Sequence, residues 1–293
     1  MASSDRLAIG TAQFGLAYGV ANVRGQVSRD EAAGILAFAS SAGIHTIDTA
    51  AGYGESETRL GDIGVKGWEL VSKLPAIPRG CRDIQAWVEE VARESLTRLR
   101  VECLYGFLLH RPSELLEDRG PELYSAMTRL KELGIVRAIG ISIYDPSELD
   151  EIMESHPMDI VQAPFNLLDR RLEDTGWMQR ISASGAELHV RSVFLQGLLL
   201  MKNSERPAKF GRWVGLWDHY DSWLADSGLT ALEACLSFAL SFPEIHKVIV
   251  GIDSLRQLKE ILAASDHSYV APPDGLRSAD TSLINPGAWP ALS

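Results

Sequence analysis

Short apolar runs alternate with helical patterns eight times along this chain. The runs are bounded by turn residues and lie near 7–11, 44–49, 69–74, 103–110, 136–142, 158–163, 187–193 and 246–251. Such runs predict buried strands. Between them, the clearest helical pattern places four apolar residues on one face: Ile84, Trp87, Val88 and Val91. Eight strands alternating with eight helices favour one closed parallel α/β barrel, the (β/α)8 TIM barrel, over two open sheets.

Glycines punctuate this repeat. Gly43, Gly134 and Gly185 each stand between a helical pattern and the next apolar run, a place typical of the left-handed residue after a helix. No linker rich in Pro, Gly or Ser divides the 293 residues. We therefore expect residues 1–293 to form one barrel domain.

Two helix starts carry a recognisable signal. Ser28 is followed three residues later by Glu31, and Ser254 by Gln257. This is the spacing of a capping box, in which the serine hydroxyl and the later side chain each accept from a backbone N–H of the other residue.

Two stretches exceed the minimal barrel unit. One runs from about 195 to 226 and carries Trp213, Trp217 and Trp223, and the other is a proline-containing tail from about 265. Long segments in a compact domain are often functional lids. We expect both to lie over the barrel mouth, with the tryptophan-rich loop as a lid.

Composition excludes several classes of protein. The chain has 28 Lys and Arg against 39 Asp and Glu, a formal charge of −11 that repels nucleic acid and anionic membranes. It has no apolar run of membrane-spanning length, and its three cysteines form no Cys-x-x-Cys pair. We expect a cytoplasmic protein that binds neither nucleic acid nor membrane and has no metal site. The sequence does not show its oligomeric state.

Polar side chains fall at the carboxyl ends of six consecutive predicted strands: Asp48, Lys73, His110, Ser142, Gln162 and Arg191. Tyr53 follows in the glycine-containing loop after Asp48. In a parallel barrel these ends build one common mouth, where catalytic groups sit. The pattern predicts that these side chains converge in space.

Each of these residues alone has a common structural explanation, such as a buried structural His or a surface Lys, so the joint pattern carries the argument. An ammonium at Lys73, held by Asp48, would stabilise the phenolate of Tyr53 and make the phenol a better acid. His110 would orient a substrate carbonyl through a hydrogen bond. This set suits protonation of a carbonyl oxygen as its carbon accepts hydride, which a nicotinamide cofactor must supply.

These four residues resemble the catalytic tetrad of the aldo-keto reductase family, and the resemblance covers nearly the whole chain. They lie in three motifs: IDTAAGYG at 47–54, VSKL at 71–74 and FLLH at 107–110. The resemblance implies that Asp48, Tyr53, Lys73 and His110 are catalytic, with Tyr53 as general acid. It also implies a small-molecule aldehyde or ketone as substrate and reduction to an alcohol.

Further family motifs match later strands: GIS at 140–142, VQ at 161–162 and QGLL at 196–199. By this resemblance Ser142 and Gln162 bind the nicotinamide carboxamide. The resemblance also places Arg191, Ser192 and Gly251 beside the cofactor.

Two departures concern the nicotinamide end. Ile143 stands where the family commonly has Asn, which removes or replaces one carboxamide contact. Arg191 stands where many members have an aromatic residue that stacks on the ring. Its planar guanidinium could stack instead, and its positive charge should disfavour the oxidised cofactor.

The third departure concerns the adenosine end. Similar proteins carry Lys or Arg after strand 8 to bind the 2′-phosphate of NADP, whereas this chain has Asp253, which would repel a phosphate. Arg256 and Lys259 could substitute, helped by the helix N-terminus. Gln257 is either a cofactor ligand or only a capping residue. The family habit favours NADP, and NAD is the alternative.

The opening motif GTAQFGLAYGVAN at 10–22 resembles a bacterial branch that acts on surface or modified sugars. Two placements are open for Gln13, Phe14, Tyr18 and Tyr144: they line the mouth, or they pack the first loop. Two other functions stay open: a cofactor-binding regulatory module with little or no turnover, and a lyase that forms a Schiff base on Lys73.

Overall fold

Eight parallel strands pair in chain order, and the last pairs with the first. The computed structural model describes residues 3–22 and 24–291. The strands are β1 (Leu7–Gly10), β2 (Thr46–Asp48), β3 (Glu69–Leu74), β4 (Leu104–Leu109), β5 (Val136–Ser142), β6 (Ile160–Pro164), β7 (Glu187–Arg191) and β8 (Ile245–Gly251). Gly10 of β1 faces Gly251 of β8, which closes the barrel. All eight predicted strands and the TIM barrel are confirmed.

Helices alternate with the strands around the outside. The α-helices are α1 (Ala12–Gly15), α2 (Arg29–Ser41), α3 (Ser56–Ile63), α4 (Ile84–Leu99), α5 (Gly120–Glu132), α6 (Glu148–Ser155), α7 (Arg171–Asp174), α8 (Trp177–Ser184), α9 (Val214–Ser227), α10 (Ala231–Leu240), α11 (Leu255–Ser265) and α12 (Thr281–Ile284). The 3₁₀ helices are Ser3–Arg6, Pro112–Leu116, Leu195–Leu200, Asn203–Glu205, Ala208–Trp213, Asp274–Leu276 and Pro286–Ala291.

The glycines predicted to end helices do so. Gly43, Gly134 and Gly185 have φ values of 86°, 70° and 81°, and only glycine adopts this left-handed conformation without steric cost. The helical face predicted for α4 also turns inward, because Ile84 and Val88 are fully buried.

Only half of each predicted capping box forms. Ser28 Oγ accepts from the backbone N–H of Glu31, and Ser254 Oγ accepts from that of Gln257. The second hydrogen bond of each box does not form, because the side chain that would accept it has another donor. The Glu31 carboxylate accepts from the N–H of Leu255, the first residue of α11, and Gln257 Oε1 accepts from the N–H of Asp253.

An apolar plug fills the barrel below the mouth. Val71, Leu108 and Ile160 form a cluster separate from the larger core around the barrel. Side chains two apart on a strand share a face, so Lys73 lies directly above Val71, and Gln162 above Ile160. The polar side chains of the mouth therefore lie directly above apolar side chains inside the barrel.

The long segment after β7 and the C-terminal tail pack together. Trp213 Nε1 donates to Asp280 Oδ2 at 3.0 Å, and the rings of Phe210 and Trp289 meet edge to face at 4.9 Å. Trp217 is buried and donates to the Phe210 carbonyl. These contacts anchor the segment. Among the described residues, no helix is long and apolar enough to cross a membrane.

Candidate active site

A buried ion pair forms the base of the mouth. Lys73 Nζ lies 2.6 Å from Asp48 Oδ2 and donates to the Thr49 carbonyl at 2.9 Å. Both charged side chains are buried. Burial alone would lower the pKa of Lys73, but the charges of Asp48 and Tyr53 outweigh it and raise the pKa above its ordinary value. Lys73 is therefore an ammonium at neutral pH.

Tyr53 lies against this ammonium. Lys73 Nζ is 5.1 Å from the centre of the Tyr53 ring, and the His110 ring approaches that ring edge-on with 6.1 Å between centroids. The loop that carries Tyr53 rests on Gly15, where a Cβ atom would overlap the Tyr53 carbonyl oxygen. Close packing of two backbones thus sets the position of the phenol.

His110 is held in its neutral form. Burial and then the positive charges of Lys73 and Arg191 lower its pKa to about 4. A neutral imidazole keeps one N–H donor and one acceptor. His110 can therefore donate a hydrogen bond to a carbonyl oxygen without being charged.

A hydrogen-bonded chain ties strands β5 and β6 to this pair. Ser142 Oγ donates to Gln162 Oε1 at 2.9 Å, and Gln162 Nε2 donates to Asp48 Oδ1 at 2.6 Å. All three side chains are buried. The Gln162 amide retains one N–H donor and one acceptor lone pair beyond these two bonds.

Arg191 stands at the rim with neutral partners. Its guanidinium donates to the Ile143 carbonyl at 2.8 Å and to Ser192 Oγ at 3.3 Å, and it lies 4.6 Å from the centre of the Tyr144 ring. Its charge therefore reaches into the mouth, as its contribution to the lowered pKa of His110 shows.

The loops after β1 and β7 meet across the mouth. Gln196 Nε2 donates to the Tyr18 hydroxyl at 3.0 Å, and the Ala21 N–H donates to the Gln196 carbonyl. Ser192, Leu195 and Gln196 all have positive φ values, a strained backbone that is common at functional sites. Sequence reasoning did not find this contact, because the partners are far apart in the chain.

Two of the aromatic residues expected at the mouth are there and one is not. Tyr18 and Tyr144 are 41% and 43% exposed, and Gln13 lies against Gly251. Phe14 is fully buried in the core, so of the two placements that the sequence left open it packs and does not line the mouth. It occupies a short helix whose apolar side packs inward.

The remaining cofactor-binding candidates lie at the end of β8 and in α11. Gly251 is exposed at the end of β8. Gln257 bonds the Asp253 N–H, as described above, while Arg256 pairs with Glu260 at 2.8 Å and Lys259 Nζ lies 5.3 Å from the Phe38 ring.

The described residues contain no group of three or more His, Cys, Asp or Glu side chains placed to hold a metal ion. The geometry instead gathers Asp48, Tyr53, Lys73 and His110 at one end of the barrel. These four side chains bring a carboxylate, a phenol, an ammonium and a neutral imidazole together around one opening of the barrel.

Comparisons with known proteins agree with this arrangement. The profile of the Aldo/keto reductase family matches residues 6–272. An uncharacterised oxidoreductase of Bacillus subtilis, YqkF, is 25% identical over 258 residues, which cover 81% of this chain and 83% of that protein. The NADH-specific methylglyoxal reductase of Escherichia coli is 28% identical over 184 residues, 54% of each chain.

Solved structures show the same fold. The holo form of aldo-keto reductase AKR11C1 from Bacillus halodurans aligns with a TM-score of 0.71 at 22% identity, covering 91% of this chain and 88% of that one. The glycerol dehydrogenase AKR11B4 of Gluconobacter oxydans has a TM-score of 0.71 at 22% identity and covers 92% of both chains. This chain belongs to the aldo/keto reductase family, whose members are nicotinamide-dependent oxidoreductases acting on carbonyl groups.

Proposed function

We propose that this protein reduces an aldehyde or ketone to an alcohol with NADH or NADPH, and that Tyr53 is the general acid. The contact between the Tyr53 ring and the Lys73 ammonium carries the proposal. A cation beside the phenol stabilises the phenolate left after proton transfer. Proton transfer of this kind contributes roughly 10² to 10⁴ in rate.

Asp48 acts on the charge of Lys73, and His110 acts on the position of the substrate. Asp48 keeps Lys73 charged, although both are buried. His110, neutral above pH about 4, donates a hydrogen bond to the substrate carbonyl oxygen and orients it toward the phenol.

The described residues fit a nicotinamide dinucleotide, which supplies the hydride when bound. The unused donor and acceptor of Gln162, with Ser142 Oγ, suit a carboxamide. The guanidinium of Arg191 would lie beside the nicotinamide ring, with Ser192 next to it. In barrels of this kind phosphates bind at the loops after strands 7 and 8, where Gly251 is exposed and the Gln13 side chain lies against it.

The adenosine end decides between the two cofactors. The resemblance favours NADP, and Arg256, Lys259 and Gln257 are the residues it offers for the 2′-phosphate. Arg256 and Lys259 both have other partners, and Gln257 bonds the backbone. NAD is therefore the alternative cofactor, and the Escherichia coli relative is an NADH-specific reductase by name.

We further propose a small hydroxylated or sugar-derived carbonyl compound as substrate. Tyr18 and Tyr144 are partly exposed residues, and their hydroxyls and the amide of Gln196 offer hydrogen bonds at the rim. The name of the same relative adds methylglyoxal to the compounds worth testing.

The test is oxidation of NADH or NADPH in the presence of methylglyoxal, glyceraldehyde and a panel of sugar-derived aldehydes. Tyr53→Phe should abolish turnover while the protein stays folded by circular dichroism. Tyr124→Phe is the matched control, because Tyr124 lies in α5 on the outside of the barrel and its hydroxyl donates to the Pro157 carbonyl. An unchanged rate in Tyr53→Phe would refute the assigned acid.

Two competing functions give different outcomes. A regulatory module would bind the cofactor without turning over any carbonyl, and the unusual Ile143 and Arg191 at the nicotinamide end keep this possibility open. A Schiff-base lyase needs a neutral Lys73, whereas Asp48 holds it as an ammonium. Borohydride should therefore trap no substrate adduct on Lys73.

A further inference from the structure

We infer that the corner between β8 and α11 selects NADH over NADPH and that Asp253 is the residue that discriminates. This inference rests on the proposed function. It concerns only the ribose 2′ position, where the two cofactors differ by a hydroxyl against a phosphate.

Asp253 carries an unsatisfied acceptor. Its Oδ1 atom is buried and makes no hydrogen bond with the described residues. Burial raises the pKa of this carboxyl, while Gln257 and the charge of Arg24 oppose the effect. A buried acceptor without a donor is costly, so this oxygen is suited to a ligand that brings a hydroxyl. A ribose 2′-hydroxyl can donate to it, whereas a 2′-phosphate adds negative charge and acceptor oxygens.

The place of Asp253 in the barrel fits the adenosine half of a dinucleotide. It follows Gly251, the last residue of β8, by two positions. Phosphates in such barrels bind at the loops after strands 7 and 8, so the ribose beyond them reaches this corner. An acidic residue that accepts from the ribose 2′-hydroxyl is how other dinucleotide folds select NAD.

The N-terminus of α11 is already occupied by groups of the chain. The Glu31 carboxylate accepts from the Leu255 N–H at 2.7 Å, and Ser254 Oγ accepts from the Gln257 N–H. A free helix N-terminus attracts phosphate. Here a carboxylate takes that position, which adds a second negative charge near any 2′-phosphate.

Two other cations near this corner already have partners on the chain. Arg256 is paired with Glu260, and Lys259 lies over the Phe38 ring. Arg24 is exposed, and its charge acts on Asp253 itself. The corner holds two carboxylates, Asp253 and Glu31, and Arg24 is a cation whose charge acts on Asp253.

The test measures the Kd of NADH and of NADPH with the whole protein, by energy transfer from tryptophan to the reduced nicotinamide. We expect NADH to bind about tenfold more tightly or better. Asp253→Ser should tighten NADPH binding about tenfold and leave NADH within a few-fold. Asp266→Ser, at the exposed opposite end of α11, is the control and should change neither Kd.

The outcomes separate this inference from the proposed function. Equal or tighter binding of NADPH by the wild type would overturn the inference and leave the proposed function intact. So would a preference for NADH that Asp253→Ser does not change. An NADPH affinity that exceeds that of NADH and is lost in Arg24→Ala would identify Arg24 as a phosphate ligand and also overturn it. Failure of both nucleotides to bind would overturn the proposed function, and this inference with it.

Discussion

Replacing Asp48 by Asn should expose the energetics of the buried pair. The change removes the carboxylate 2.6 Å from Lys73 Nζ and leaves an amide of the same shape. At an effective dielectric constant of about 20, two charges at this distance attract by roughly 6 kcal/mol, an upper scale before desolvation is counted. Removing one partner of a buried pair costs about 3 to 5 kcal/mol. We expect a loss of this size in the free energy of unfolding.

The same variant should lose activity for a separate reason. Without the Asp48 charge, burial dominates and lowers the pKa of Lys73, so the ammonium beside Tyr53 is lost. Turnover should fall by about 10² or more, the scale of general-acid catalysis. Urea unfolding and steady-state reduction of one carbonyl compound measure the two effects on the same protein.

The double variant Asp48→Asn with Lys73→Met is the matched control. Removing both charges should restore most of the stability, because no unpaired charge remains buried, while the activity should stay lost. A stability loss below about 1 kcal/mol in the single variant, the scale of an exposed pair, would refute this reasoning. So would a double variant as unstable as the sum of the two single ones.

Two further predictions follow from the site. Gly15→Ala should lower turnover, because the new methyl group would overlap the Tyr53 carbonyl oxygen and displace the loop that carries Tyr53. Gly34→Ala in α2 is the control. Gly34 has open space around it, so this variant should keep wild-type turnover. Because the folded pKa of His110 is about 4, its imidazole stays neutral until the pH falls to that value. A pH profile of kcat/KM should therefore show no step near the ordinary histidine pKa of about 6.5, and a step there that disappears in His110→Gln would contradict the assignment.

The sequence was sufficient to predict the barrel and to predict that Asp48, Tyr53, Lys73 and His110 meet at its mouth. Strand positions follow from apolar periodicity, and the carboxyl ends of parallel strands must share one mouth. That rule alone brings Asp48 and Gln162 together, although 114 positions separate them, and the structure joins them by a hydrogen bond.

Contacts between loops could not be predicted in the same way. Glu31 carries the signal of a local capping box, yet its carboxylate reaches Leu255, 224 positions away, because α2 packs beside α11. The Gln196–Tyr18 bond likewise joins loops of irregular backbone, for which no periodicity exists. The sequence left the placement of Phe14 open, because residue type alone does not tell whether an aromatic ring in a short helix faces the core or the mouth.

Isotope labelling tests whether hydride passes directly from the cofactor to the carbonyl carbon with Tyr53 as the proton donor. Reduced nicotinamide cofactor deuterated at the reactive carbon, incubated with the protein and an accepted aldehyde, tests it by mass spectrometry of the alcohol. We expect one deuterium at the new carbinol carbon with the wild type and none above background with Tyr53→Phe. An alcohol without deuterium, or equal labelling by the two proteins, would contradict the account.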